Sequence, residues 1–153
     1  MLYRSALGFS AFAMLTLSAN LASAGDFYEE KGVAMSRFDA TSFVTRDHEP
    51  MLGSQQFSTV YKGSTFYFIT NSNLHLFTSN PERFAPQFSG FCALNAAQGH
   101  KVPANPRVFA VVDGKLYLFS DTDARKTWKQ DIAGNLARAS EQWADVSKMM
   151  AQK

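Results

Sequence analysis

The sequence predicts an α+β protein with a small antiparallel sheet built from two hairpins, short helices between them and a helical C-terminus. Two β-branched and aromatic runs flank Lys62-Gly63-Ser64, and two more flank Asp113-Gly114. Alternating runs joined by a short glycine-containing turn are typical of β-hairpins, and Asp-Gly favours a two-residue type I′ turn. Segments with helical spacing lie between and after these hairpins, and this interleaving indicates the α+β class.

Three shorter elements are predicted outside the hairpins. Residues 33–56 have apolar side chains without a sustained period, so we expect an irregular docked stretch that opens into a loop over residues 48–55. Residues 71–85 predict two helical turns separated by a proline. A further short helix is expected over about residues 91–98, because Gly99 follows as a stop signal.

The C-terminal part predicts a helix that begins after an N-cap at Ser120 or Asp121. Gly134 and Asn135 lie inside the helical run and predict a break there. The sequence shows no internal repeat. The apolar residues of this part follow one stripe at helical spacing; they are Trp128, Ile132, Leu136, Trp143, Val146 and Met150.

The segment from Met1 to Ala24 has the pattern of a secretory signal peptide. A single charge at Arg4 precedes a short apolar core over residues 6–17, and the segment ends in Ala22-Ser23-Ala24. This pattern predicts cleavage near Ala24 and a soluble periplasmic or secreted protein. The core is too short to span a membrane, and no later segment approaches roughly 18 uninterrupted apolar residues.

The charge balance argues against partners that are recognised by bulk electrostatics. Without Arg4, the chain has 14 Lys and Arg residues against 13 Asp and Glu residues, and the basic residues are scattered. We therefore expect no nucleic-acid partner and no binding to an acidic membrane surface. Residues 25–153 are enough for one ordinary domain with its own core.

Several phrases of the sequence resemble the YHS domain family in its secreted single-domain form. They are GVAMSRFDATSF (Gly32–Phe43), YKGSTFYF (Tyr61–Phe68), NPERFAPQFSGFCALNAAQG (Asn80–Gly99) and VVDGKLYLF (Val111–Phe119). The family's Gly-Tyr-Asp-Pro-like turn is replaced by Arg37-Phe38-Asp39-Ala40. The resemblance implies a single YHS-like domain over residues 25–153, with copper or another soft metal as its ligand.

Cys92 is the only cysteine, and His100 follows eight residues later. A thiol near a helix N-terminus is stabilised as the thiolate, which is a soft ligand for Cu(I) or Zn(II) and a redox nucleophile. On one continuous helix, residues eight apart are separated by about 12 Å of rise and cannot share one ion. His100 therefore joins Cys92 only if the chain reverses at Gly99.

His48 and Met51, three residues apart, are a second pair of donors that suit copper. A histidine in a polar loop is more often simply solvated. The predicted metal ligands are thus Cys92 with His100 as its partner, and His48 with Met51 as further candidates. The predicted partners are a metal ion or a small ligand, and a protein that the sequence does not identify.

Two other functions are open at this point. Cys92 would be the reactive group of a thiol-dependent redox protein, or an inert core thiol in a structural or interaction module. Free cysteine is among the most buried residue types, which supports the inert thiol. The sequence has no motif of a serine hydrolase, a zinc hydrolase or a P-loop enzyme, so it favours a non-enzymatic protein and leaves an enzyme as the alternative.

Overall fold

Three antiparallel hairpins and six helices form the fold in the computed structural model, which describes residues 26–45 and 49–151. The α+β class is confirmed, and one hairpin is added to the two predicted. The predicted signal peptide lies outside the described residues. The strands pair β1 with β2, β3 with β4 and β5 with β6; their bounds are Glu29–Glu30 (β1), Val33–Ala34 (β2), Ser54–Tyr61 (β3), Ser64–Phe68 (β4), Asn105–Val112 (β5) and Lys115–Phe119 (β6).

Both larger hairpins have two-residue turns. The sequence predicts this type at Asp113-Gly114, and at Lys62-Gly63 it predicts a short glycine-containing turn. At Lys62 and Gly63 the φ angles are 47° and 77°, and at Asp113 and Gly114 they are 51° and 72°. Two successive positive φ angles define the type I′ turn, whose twist matches that of the flanking strands. Glycine tolerates this conformation without steric cost, which fixes the position of each turn.

Among the described residues, five of the six helices lie in regions where the sequence predicts helical structure, and the first helix is additional. The helices are Ser42–Thr45 (α1), Asn71–Ser79 (α2), Pro81–Phe84 (α3), Ala93–Ala97 (α4), Thr122–Gln130 (α5) and Ile132–Val146 (α6). The N-terminal stretch, for which the sequence predicts irregular structure, contains β2 and the single-turn helix α1. Within the described residues, no helix is both long and apolar enough to cross a membrane.

The C-terminal helices separate at Asp131, slightly before the predicted break at Gly134. Asp131 lies between α5 and α6, and its Oδ1 accepts a hydrogen bond from Gly134 N at 2.9 Å. A Cβ at Gly134 would collide with the Asp131 side chain, so the glycine permits the cap instead of breaking the helix. Met150, predicted to extend the apolar stripe, lies beyond the end of α6 and is 91% exposed.

The structure repeats itself where the sequence shows no repeat. The unit β3–β4–α2 recurs as β5–β6–α5. Each strand and helix of the second unit begins and ends the same number of residues after its counterpart in the first, an interval equal to that from Ser54 to Asn105. Neither unit therefore has an insertion. Both hairpins also have a register shift at the same place, between Ser54 and Ser58 and between Asn105 and Phe109. We call residues 35–79 the first half and residues 88–130 the second half.

The two halves pack the same ring arrangement against their hairpins. Phe77 of α2 lies 5.0 Å, between ring centroids, from both Phe66 and Phe68. Its counterpart Trp128 lies 5.3 Å from Tyr117 and 5.2 Å from Phe119. Trp128 is fully buried, and among the described residues its Nε1 has no hydrogen-bond partner. Trp128 occupies the position that the apolar ring of Phe77 has in the first half.

The repeat extends to a left-handed turn that begins each half. Met35–Arg37 and Phe88–Gly90 each have three successive positive φ angles. The residue two places after each turn donates its backbone N–H to a loop carbonyl: Asp39 to Met51 O at 2.8 Å and Cys92 to Val102 O at 2.9 Å. Asp39 and Cys92 therefore occupy equivalent positions, although one side chain is a carboxylate and the other a thiol.

Asp39 is fully buried, and its carboxylate accepts four hydrogen bonds. Oδ1 accepts from Thr41 N at 2.8 Å and Thr41 Oγ1 at 2.7 Å. Oδ2 accepts from Ile69 N at 2.9 Å and Asn73 Nδ2 at 2.7 Å. Because a buried charge is tolerated only when it is fully hydrogen-bonded, this arrangement fixes the start of α1, the end of β4 and α2 relative to the first turn.

We expect Asp39→Ala to lower the free energy of unfolding by about 3 kcal/mol or more, because it leaves several buried donors without an acceptor. Asp39→Asn keeps the shape and one acceptor oxygen, so its loss should be intermediate. Urea denaturation followed by circular dichroism measures both. Asp123→Ala, an exposed aspartate in α5, serves as the control. A loss for Asp39→Ala no larger than that of the control would show that the carboxylate does not hold the first half together.

Candidate functional site

Cys92 is the N-cap residue of α4, and its side chain is fully buried. Its neighbours on α4 are the buried Ala93 and Ala96, and it forms an isolated bridge with Leu118 of β6. The thiol thus lies between the helix and the β5–β6 hairpin. Any reagent or ion that binds Sγ must first displace this packing.

Ser120 Oγ is the hydrogen-bond partner that the structure gives to Cys92 Sγ, at 3.6 Å. The same Oγ lies 2.9 Å from Asp121 Oδ2. The backbone N–H of Ala124, followed by the Ser120 hydroxyl, holds the pKa of the Asp121 carboxyl below its ordinary value. The Ser120 hydroxyl therefore lies within hydrogen-bond reach of two acceptors, Cys92 Sγ and the Asp121 carboxylate.

The chain reverses at Gly99 as a shared Cys92–His100 site would require. Gly99 has a φ of +79°, and His100 N donates to Asn95 O at 2.8 Å. The reversal returns the backbone beside α4, where Val102 O receives the Cys92 N–H. The His100 side chain, however, is exposed while the Cys92 thiol is buried.

The other predicted ligands are not brought to the thiol. His48 lies outside the described residues. The backbone of Met51 is held by Asp39 N and by Ser42 Oγ, and its side chain is 37% exposed. Among residues 26–45 and 49–151, no group of three or more His, Cys, Asp or Glu side chains could hold a metal ion.

A cleft of about 370 Å³ lies at the junction of the two halves, and Cys92 is not among the residues that line it. Its walls come from the turn of the β3–β4 hairpin, the left-handed turn of the second half, the start of β6 and α6. We call it the junction cleft. The residues that line it are Phe27, Tyr61, Lys62, Glu82, Ala85, Pro86, Gln87, Phe88, Ser89, Lys115 and Trp143.

Four aromatic rings line the junction cleft. Phe27 and Tyr61 lie 5.9 Å apart between ring centroids, and Phe88 and Trp143 lie 5.5 Å apart. Tyr61, Phe88 and Trp143 are only partly buried, so ring surface remains available to a ligand. Small-molecule sites typically combine such apolar walls with a few polar groups, in cavities of roughly 300–1,000 Å³.

Three charged side chains surround the aromatic walls: Lys62, Lys115 and Glu82, all exposed. The ion pairs found among the described residues are Arg138 with Asp131 and Lys148 with Asp145, and neither includes a charge of the cleft. The Lys62 Nζ lies 5.3 Å from the centroid of the Tyr61 ring. Its ammonium is thus held beside the aromatic wall by a cation–π contact.

A second cavity, of about 520 Å³, lies beside the first left-handed turn. Ser36, Arg37, Gln55 and Tyr67 contribute to its walls. It has one aromatic ring against four in the junction cleft, and Arg37 and Gln55 are exposed. In the second half Gly90 replaces Arg37, and a Cβ there would lie 3.5 Å from the Pro86 ring.

Sequence reasoning did not identify the junction cleft. Its residues run from Phe27 to Trp143 and share neither a motif nor a spacing. The only signal was the abundance of Phe and Tyr in hairpin positions, which a core also requires. The β3–β4 turn and the left-handed turn of the second half had to be placed in space before their side chains could be seen to converge.

Comparison with models of known protein families found no matching family. Searches among curated proteins and among solved structures also found no similar protein. The resemblance to YHS domains therefore remains a hypothesis that rests on the quoted phrases.

We expect native Cys92 to react with a thiol reagent at least on the order of 1,000-fold more slowly than in the unfolded chain, because access requires opening of a marginally stable fold. Absorbance with a disulfide reagent, with and without urea, measures this ratio. The control is Cys92→Ser combined with Ser72→Cys, since Ser72 is exposed on α2 and its replacement should react at once. Equally fast labelling of native Cys92 would show that the thiol is accessible.

Proposed function

We propose that this protein is an exported, non-enzymatic binding protein that holds a small ligand in the junction cleft, with Cys92 as a structural thiol. The observation that carries the proposal is the cleft itself: four aromatic side chains, from both halves and from the chain on either side of them, converge on one cavity. Sites for small molecules occur preferentially where two structural units meet. Export is supported by the pattern of the segment from Met1 to Ala24, and a YHS-like origin by the phrases quoted above.

Three observations favour a structural role for Cys92. The residue is fully buried, it occupies the position of Asp39 in the repeat, and its Sγ accepts a hydrogen bond from Ser120 Oγ. In the first half, Asp39 connects the left-handed turn to Ile69, the residue that follows β4. In the second half, Cys92 connects the left-handed turn to Ser120, the residue that follows β6. A contact that both halves need for their fold explains the thiol without a redox or metal-binding role.

The two tryptophans provide a direct test of ligand binding. Trp143 lines the cleft and Trp128 is fully buried. We expect naphthalene-2-methanol, a neutral aromatic probe, to shift the indole N–H resonance of Trp143 in proton–nitrogen NMR spectra and to leave that of Trp128 unchanged. Shifts spread evenly over the surface, or none at Trp143, would refute the proposed site.

A pair of cavity-filling variants localises the binding. Gln87→Trp places a large ring in the junction cleft, and Gln55→Trp places the same ring in the second cavity. Binding of the probe should be lost in the first variant and retained in the second, with both proteins folded by circular dichroism. Retained binding in Gln87→Trp would place the probe elsewhere.

Copper or another soft metal at Cys92 is a second candidate function. The reversal of the chain at Gly99 favours it, because it satisfies the backbone condition for His100 to return toward α4. The described donors do not form a complete set: Cys92 is buried, His100 and Met51 are exposed, and His48 is not described. Metal binding at this thiol would therefore require local opening of α4.

Titration with Cu(I) against a competing chelator separates the two functions. If Cys92 binds the metal, Cys92→Ser abolishes the competition and His100→Ala weakens it. We expect both variants to compete as the wild type does, because the thiol is covered by packed side chains. Loss of competition in Cys92→Ser, with the fold intact, would establish the soft-metal function instead.

A further inference from the structure

The ligand of the junction cleft can be assigned to a chemical class from the charges around it. Two of the three charged side chains at the cleft are lysines, and the third is Glu82. The residues that line the cleft thus carry a net charge of +1. A ligand with a single negative charge would balance it.

The lysines are free to bind a ligand. In the part of the chain that the structure describes, neither Lys62 nor Lys115 belongs to an ion pair. Lys62 lies in the type I′ turn of the β3–β4 hairpin, and Lys115 is the first residue of β6 after the corresponding turn. Tight turns and paired strands restrict the backbone at both positions, which reduces the entropy lost when a ligand is bound.

The aromatic walls of the junction cleft determine the uncharged part of the ligand. Aromatic rings in the cleft offer flat faces for stacking, and offset or edge-to-face contacts between rings are favourable. A small inorganic anion would leave these faces without contacts, and a purely apolar molecule would leave both lysines unmatched. Glu82 in the same cleft would repel a second negative charge.

We propose that the junction cleft binds a small flat aromatic molecule with one carboxylate, whose ring contacts Trp143 and Phe88 and whose charge is matched by Lys62 and Lys115. This inference rests on the proposed function, since it specifies the ligand of the same cleft. The volume of about 370 Å³ suits a molecule of one or two fused rings.

Three probes with one ring system and different charges test the assignment: 2-naphthoate, naphthalene-2-methanol and 2-naphthylmethylammonium. Binding is followed by the shift of the Trp143 indole N–H resonance. We expect 2-naphthoate to bind about tenfold more tightly than the alcohol, because two exposed ion pairs contribute about this much to affinity. The ammonium should bind most weakly, because the lysines repel it. The preference should shrink at high salt, which screens exposed charges.

Lys62→Gln/Lys115→Gln should reduce the preference for 2-naphthoate over the alcohol to about twofold or less, because the two ion pairs are removed. The control, Lys126→Gln/Lys129→Gln, removes the same charge from exposed positions of α5 and should keep the tenfold preference. Equal loss in both variants would mean that net charge, not the cleft, attracts the anion.

The outcomes distinguish this inference from the proposed function. If all three probes shift Trp143 with equal affinity, or the ammonium binds most tightly, the cleft is a ligand site but the carboxylate assignment is wrong. If none of them shifts Trp143, the cleft is not a ligand site and both proposals fail. Tight binding of 2-naphthoate that depends on Lys62 and Lys115 supports both.

Discussion

The buried carboxylate of Asp39 is the interaction on which the first half depends. Its four donors come from Thr41 just after the turn, from the end of β4 and from α2. Burying an isolated charge would be unfavourable by several kcal/mol, whereas a fully hydrogen-bonded carboxylate is tolerated and directional. One side chain therefore specifies how three segments meet, and the aromatic rings pack around that arrangement.

The second half reaches the same geometry with different chemistry. Cys92 replaces Asp39, and Trp128 replaces Phe77. Among the described residues, the Cys92 thiol has one hydrogen-bond partner, whereas the Asp39 carboxylate accepts four hydrogen bonds. The long helix α6 packs over α4 through Ala139 and Trp143. The thiol in this position is explained by its packing between α4 and the β5–β6 hairpin. The repeat is thus visible in backbone angles and hydrogen bonds, whereas few equivalent residues are identical; Gly63 with Gly114 and Phe68 with Phe119 are such pairs.

Local features of the fold were predictable, and long-range ones were not. Asp113-Gly114 and Lys62-Gly63 define their turns within two residues, so the hairpins could be identified from the sequence. The sequence predicts the break between α5 and α6 at Gly134, because glycine is a poor helix former. The helices in fact separate earlier, at Asp131, whose side chain caps α6. This cap depends on side-chain geometry that the sequence does not show. The convergence of side chains in the junction cleft needed the packing of both halves.

The equal spacing of the two halves has a consequence for the order of folding. In the first half the contacts of Asp39 with Ile69 and Asn73 close loops of 30 and 34 residues, and Cys92 with Ser120 closes one of 28 residues. The entropy cost of loop closure changes only slowly with length, so the two closures are nearly equal in this respect. Neither half has a topological advantage over the other. The junction between them, and with it the cleft, is complete only after both have closed.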